Sequence, residues 1–471
     1  MQQAKNVPRR ITNTLFTPIP RLLRTSRRKR LGHPIPWPFL SLAGFGLLIL
    51  VGTVLLALPI TTESGKGTSL VNAAFTAVSA VTVTGFVVVD TADHWNKIGE
   101  ATILGLIQLG GLGIMTSATF LMVLVGFRIG IRGRALARED LGSSGLSSVR
   151  RFVLSIVVFT LLIEGAGFGL MYLYFRGEGT TGYAMWQSAF HAVSAFNNSG
   201  FDLVGDFKSF TAFSSNYHIL LVTAALVILG GIGFAVVANI LSVRKLRALS
   251  LNTKIVLAGT ALLLIAGTGF ILGVEHSNSA TLGTMSWGEK VLNSFFQSAI
   301  ARTAGFNTFP TGGLNDSILF FIIVLMFIGA AAGSPGGGIK VNTFAVIASA
   351  TISSVRGRQG NEAFGRRIPD EQLRKALTLA FMAMTLIVVV TMVMVAVENL
   401  RFIHGLFLVV SSFSTVGLSP IDIATLSPAG KAILMAVMFT GKLGIPLLAL
   451  LLARLDREPL FSYPEERVNL A

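Results

Sequence analysis

Four short segments join hydroxyl, amide and small side chains to one glycine: Thr82-Val83-Thr84-Gly85, Asn197-Asn198-Ser199-Gly200, Arg302-Thr303-Ala304-Gly305 and Ser414-Thr415-Val416-Gly417. Phe86, Phe201 and Phe306 follow the first three, and Leu418 follows the fourth. Nothing in them resembles a catalytic triad, a metal cluster or a phosphate loop, so the chemistry on offer is that of the backbone. A dehydrated monovalent cation needs several oxygen ligands in place of its water, and carbonyls supply them without a fixed charge that would trap the ion. Turning carbonyls inward needs unusual dihedrals, which glycine adopts at least cost. A single tetrapeptide of this kind carries little information. Here the glycines recur about every 110 residues, the signature of a repeated unit.

The elements that must position these motifs are legible around them. A helix-length apolar stretch precedes each one, at 69–81, 184–196, 287–300 and 402–413, too short to cross a bilayer. Ser286-Trp287-Gly288-Glu289 reads as a capping box opening the third. Each short helix aims its negative C-terminal end at the membrane centre, which favours a cation there. Eight longer apolar spans flank them, at 39–60, 100–126, 152–175, 217–243, 253–275, 316–350, 375–397 and 427–453. The expected fold is an all-α integral membrane protein of four parallel membrane–pore–membrane repeats (39–126, 152–243, 253–350, 375–453) around one pore. Tails at 1–38 and 454–471 flank them.

Composition supports this class. Of 471 residues, 52% are hydrophobic and 13% charged, against about 25% charged in soluble chains. The absence of cysteine excludes a disulfide framework and a thiolate metal site. The net charge of +16 comes from basic residues in the N-terminal tail and in the loops 127–151, 244–254 and 351–374. That is membrane topology rather than nucleic-acid binding, and it places both termini in the cytoplasm and the glycine motifs in segments entering from outside. The tail carries no apolar core of a cleavable signal. Trp37, Trp95, Trp186 and Trp287 fall near the expected interfaces and read as an aromatic belt.

Span six is interrupted by Ala332-Gly333-Ser334-Pro335-Gly336-Gly337-Gly338-Ile339-Lys340, through which no helix runs undisturbed. An irregular loop at 329–340, just below the motifs, is a candidate gate, because broken spans in transport proteins tend to line the ion path. Intramembrane charges are functional candidates. Lys442 either sits near the axis, repelling a cation or pinning the loop, or makes an interhelical contact. Glu164 reads as structurally paired, Arg302 as bracing its motif from behind, and His191 as a packed, hydrogen-bonded histidine. The glycines after each motif (Gly110, Gly111, Gly113; Gly230, Gly231, Gly233; Gly441, Gly444) fit close helix packing, a pore lining, or both.

The four motifs, Ser194-Ala195-Phe196-Asn197-Asn198-Ser199-Gly200-Phe201, Ala301-Arg302-Thr303-Ala304-Gly305-Phe306-Asn307 and Gly336-Gly337-Gly338-Ile339-Lys340 resemble the KtrB/TrkH/HKT superfamily of cation transporters over about residues 39–465. The eight-span pattern is most like the KtrB subunit, and Thr82-Val83-Thr84-Gly85 looks like one strand of a potassium-channel filter. The resemblance implies a single-file K+ filter with Gly85, Gly200, Gly305 and Gly417 at its centre. It implies an intramembrane gating loop in the third repeat, a homodimer and a bacterial plasma membrane. It also implies a cytoplasmic ring of nucleotide-binding regulatory subunits, KtrA/TrkA-like, so that nucleotide sits on the partner and K+ is this chain's cargo, with no cofactor of its own. Glycine rather than serine in the first motif implies K+ preference. Two departures from the pattern are Lys442, where relatives commonly carry arginine and its planar fork, and Pro335, where a small hydroxyl residue is usual.

The leading expectation is a potential-driven K+ uptake subunit gated by a soluble partner, and not an enzyme. The rival is a Na+- or H+-coupled carrier with alternating access, binding substrate at the broken span; inverted repeats would favour it, whereas these repeats read as parallel.

Overall fold

A computed structural model describes residues 37–113, 149–243, 245–358 and 360–443. The basic tail, the far end of the second expected span, most of the 127–151 loop, Arg244, the 444–453 end of the eighth span and the C-terminal tail lie outside the described residues.

The described residues are mostly helical. In order, the principal helices are α1 (Trp37–Ala57), α2 (Leu70–Val81), α3 (Lys97–Gly111), α4 (Val149–Phe175), α5 (Thr181–Phe196), α6 (Tyr217–Ile232), α7 (Phe234–Ser242), α8 (Leu251–Glu275), α9 (Trp287–Ile300), α10 (Asp316–Phe327), α11 (Val341–Val355), α12 (Asp370–Glu398), α13 (Phe402–Phe413) and α14 (Pro428–Leu443). Among the described residues, α4 from Leu154, α8 and α12 are long and apolar enough to cross a membrane, and α6 with α7 qualifies as a bent pair. Their outward faces are apolar: Ile265 on α8 is 73% exposed and Phe381 on α12 is 74% exposed. Such surfaces suit a hydrocarbon solvent.

The short helices α2, α5, α9 and α13 are buried towards their ends, and the first three are capped by side chains at their starts. Ser69 accepts the Asn72 N–H and Thr180 that of Tyr183. Ser286 and Glu289 form the expected reciprocal capping box of α9. Side chains of the last two turns lie in the core, including Phe75, Phe190, Phe296 and Phe407, each fully buried. Each short helix packs against the longer helix before it, so its C-terminus points into the protein.

Two features go beyond what the span and loop pattern shows. The stretch 217–243 is not one helix: α6 and α7 meet at Gly233 at 89°. Gly233 has φ +81°, open to glycine without strain, and its Cα faces the backbone of Gly333. The basic loop 351–374 contains a hairpin, β1 (Asn361–Ala363) with β2 (Arg366–Ile368), closed by Phe364 and Gly365 at positive φ. Strands of three residues are too short to register as period-two alternation. The belt reading fails for one tryptophan: Trp95 is 1% exposed within the core. Trp186 donates its Nε1–H to Glu100. Trp287 is 66% exposed, as a belt residue would be, and the Trp37 side chain lies outside the described residues.

Candidate functional site

The four glycine motifs meet in a closed ring. A Cβ built on Gly85 would lie under 3.0 Å from the Ser199 carbonyl, one on Gly200 from Ala304 O, one on Gly305 from Val416 O, and one on Gly417 from Thr84 O. Each glycine thus abuts the carbonyl that precedes the glycine of the next motif, and the fourth returns to the first. All four glycines have positive φ, from +68° to +89°. Two residues earlier, Val83, Asn198, Thr303 and Thr415 are also at positive φ, although none is glycine. Alternation of left- and right-handed residues turns successive carbonyls to the same side, a costly backbone that persists only where its surroundings fix it.

Those surroundings are shared by three motifs and differ in the third. The N–H of Thr84, Ser199 and Val416 donates to the carbonyl of Ser79, Ser194 and Ser411 at 2.8 Å in each case. Ala304 instead bonds Ile300 O, and Thr303 reaches φ +93°. The second helix of a unit closes in from behind. A Cβ on Gly110, Gly230 or Gly441 would collide with the carbonyl of Val81, Phe196 or Phe413, at the end of the preceding short helix. These glycines therefore serve close packing.

The first residue of the first three motifs turns its side chain to partners outside the ring. Thr82 Oγ1 bonds Val78 O at 2.7 Å and the Thr84 hydroxyl. Asn197 donates to Glu164 Oε1 at 2.8 Å and to Gln108 Oε1 at 2.9 Å, and Gln108 donates to Glu164 Oε2 at 3.1 Å. Glu164 is thus paired by amides, and no salt bridge engages it among the described residues. Arg302, 6% exposed, donates from Nη2 to Thr260 Oγ1 on α8, behind the ring as expected. His191 donates from Nδ1 to Gln187 O and accepts the Leu203 N–H at Nε2, stacked on Phe175. It is a packed histidine with its tautomer fixed.

The 329–340 break is a loop packed against the ring. Gly337 N–H donates to Thr415 Oγ1 at 2.9 Å, and Gly336 and Gly338 lie where a Cβ would strike Thr303 and Ser414. Ala331 N–H donates to Gly231 O at the end of α6, and Ala332 N–H to Asn342 Oδ1. Ser334 Oγ bonds Ala331 O at 2.6 Å. Lys442 Nζ reaches the Pro335 carbonyl at 2.6 Å, and Lys340 Nζ donates to Gly336 O. Of the alternatives for Lys442, the geometry is that of a tether on the loop.

On its other face the ring opens into a cavity of about 400 Å3, lined by the four glycines with Asp90, Asp202 and Asp422. Burial raises the half-buried Asp202 carboxyl to about 6, against the Val204 N–H and Ser209 hydroxyl that stabilise its charge. Asp90 accepts from Phe207 N and Asp93 from Asp206 N, fastening the loop 205–209, whose Gly205, Asp206, Phe207 and Ser209 all have positive φ.

A family model described as a cation transport protein, TrkH, matches residues 47–463. The chain belongs to the TrkH family. It is 38% identical over 435 residues, 92% of this chain and 94% of the relative, to the Ktr system potassium uptake protein B of Vibrio alginolyticus. It is 36% identical over 455 residues, 95% of this chain and 99% of the relative, to the potassium/sodium uptake protein NtpJ of Enterococcus hirae. The crystal structure of the potassium transporter TrkH from Vibrio parahaemolyticus matches with TM-score 0.68 over 87% of this chain and 85% of that one, at 20% identity, which speaks for the fold. The mostly helical architecture of this TrkH-family chain and its multi-pass membrane character follow. Sequence reasoning missed three parts of the TrkH-family site: Gln108, Asp202 and the bend at Gly233. Gln108 carried a readable signal, a lone amide in an apolar span. The other two depend on contacts made by distant segments.

Proposed function

We propose that this chain is the ion-translocating subunit of a K+ uptake system. Its elements read as four membrane–pore–membrane repeats with eight spans, and the ring as a carbonyl filter with K+ as cargo. The observation that carries the reading is the cyclic order of contacts, in which each motif glycine abuts the carbonyl before the next. Such a ring presents oxygens from four directions to an ion stripped of water. The ion enters from the acidic cavity, exchanges water for carbonyls at the ring, and leaves past the 332–340 loop, which Lys442 and Lys340 hold against the ring's inner side. Moving the loop opens the path. The relatives named for the Ktr system support a cytoplasmic regulatory subunit as the mover, a KtrA/TrkA-like nucleotide-binding ring, with the chain as a homodimer in the bacterial plasma membrane and both termini cytoplasmic.

The test is 86Rb+ uptake into proteoliposomes holding the purified chain, with an imposed inside-negative potential and competing Na+. Potential-driven, Na+-resistant uptake is expected. Uptake only under a Na+ or H+ gradient would overturn the channel-like mechanism in favour of the coupled carrier, a reading that the potassium/sodium name of the Enterococcus hirae relative keeps relevant.

A further inference from the structure

The side chains behind the ring divide the four motifs into two classes. In the first and fourth, the leading residue is a hydroxyl with no partner on the long helix that opens its unit. Among the described residues, Thr82 bonds only its own short helix and Thr84, and the buried Ser414 hydroxyl has no partner. In the second and third, the leading side chain reaches back to that helix: Asn197 to Glu164 on α4, Arg302 to Thr260 on α8. The second brace is the more extensive. Its Nδ2 group shares two hydrogens among Glu164, Gln108 and Val193 O, all within 2.9 Å, and Gln108 closes the triangle onto the other Glu164 oxygen. The three residues come from α3, α4 and the end of α5, so the triangle joins the first unit to the second.

The chain is shaped around this triangle. Gly111, one turn beyond Gln108, is where any Cβ would overlap the Asn197 amide. Glu164 is 5% exposed and Asn197 1%, so an unmatched donor or acceptor here would be left without water. Asn197 sits directly before Asn198, held at φ +56°, and Asn198 Nδ2 donates onward to Thr303 Oγ1 of the next motif. Movement of Asn197 is transmitted to two of the four motifs.

We infer that Glu164, with Gln108, is a specificity-determining positioning residue: from behind, it fixes Asn197 and so the carbonyl positions that the second motif offers a passing ion. The inference rests on reading the ring as a filter. Its mechanism is hydrogen bonding, because both Glu164 oxygens receive amide N–H groups. Glutamine, whose Oε1 can still accept from Asn197 while only the bond from Gln108 is given up, retains the brace on Asn197; leucine, of similar bulk, has no acceptor and cannot.

The test compares E164Q, E164L and Q108L with the native chain by the K+ half-saturation of 86Rb+ uptake and the Na+ concentration that halves it, with G85S alongside. Thermal unfolding in detergent is followed in parallel. E164L and Q108L are expected to lower K+ over Na+ discrimination about tenfold while retaining maximal uptake, and E164Q to stay within about twofold of native. A double variant E164L/Q108L no worse than either alone is the further expectation, since one network is lost once. Native discrimination in E164L and Q108L, with G85S impaired, overturns the inference and leaves the filter reading standing. Native discrimination in G85S as well overturns both. E164Q as impaired as E164L overturns hydrogen-bonded positioning. Should E164L not fold, E164Q and Q108L decide the matter by the same criteria.

Discussion

Gly85→Ser tests the ring at its most constrained point. The substitution places a Cβ under 3.0 Å from the Ser199 carbonyl, where ordinary contact is 3.4–4 Å. It also asks an L-residue to hold φ +86°. Holding such a dihedral costs about 1–3 kcal/mol, and removing the overlap requires the Ser199 carbonyl and the new Cβ to separate by about 1 Å. The strain is relieved by opening the ring, because the backbone behind it is packed against α3 and α6 through Gly110 and Gly230. If about 2 kcal/mol of the preference for K+ is forfeited in this way, discrimination falls roughly 30-fold. The assay is 86Rb+ uptake under an imposed potential, titrated with Na+. Gly105→Ser on α3 is the control, since a Cβ there meets nothing within 4 Å, and it is expected to leave discrimination within about twofold. Native K+ over Na+ preference in Gly85→Ser would refute the reasoning, as would an equal loss in Gly105→Ser.

Other outcomes follow from the same geometry. Lys442→Met removes the tether to the Pro335 carbonyl and deletion of 333–338 removes the loop itself; both are expected to raise flux several-fold, and unchanged flux in both would dismiss the gate. Asp202, raised to about 6 by burial, is ionised above that pH and neutral below it. External acidification through pH 6 should therefore raise the K+ half-saturation, with Asp90 and Asp422 left as the remaining charges of the cavity, and Asp202→Asn should flatten the profile at the higher value; a native profile in that variant would refute the assignment. Phe296→Ala empties a fully buried site stacked on Phe210 and should cost about 3–5 kcal/mol, read as a lowered unfolding midpoint in detergent; no shift would mean the cavity collapses without loss.

Local rules made much of this protein readable from its residues. The short helices end at Val81, Phe196, Ile300 and Phe413, each where the apolar stretch gives way to small and polar residues. The Ser286–Glu289 capping box and the break at 329–340 are local too, since a cap needs one turn of chain and Pro335 with three glycines cannot propagate a helix. What residues alone left open was decided by partners far away in the chain. Gly233 bends its span by 89° because Gly333, 100 positions on, occupies the adjacent space and Gly231 O is taken by Ala331 N–H. Gly110, Gly230 and Gly441 proved to be packing positions, which only the carbonyls opposite them could determine. Trp95 is buried rather than interfacial because neighbouring segments cover it. Periodicity and capping are encoded within a few residues, whereas the closure of four motifs into one ring, and the Gln108–Glu164–Asn197 triangle behind it, exist only once distant helices have packed.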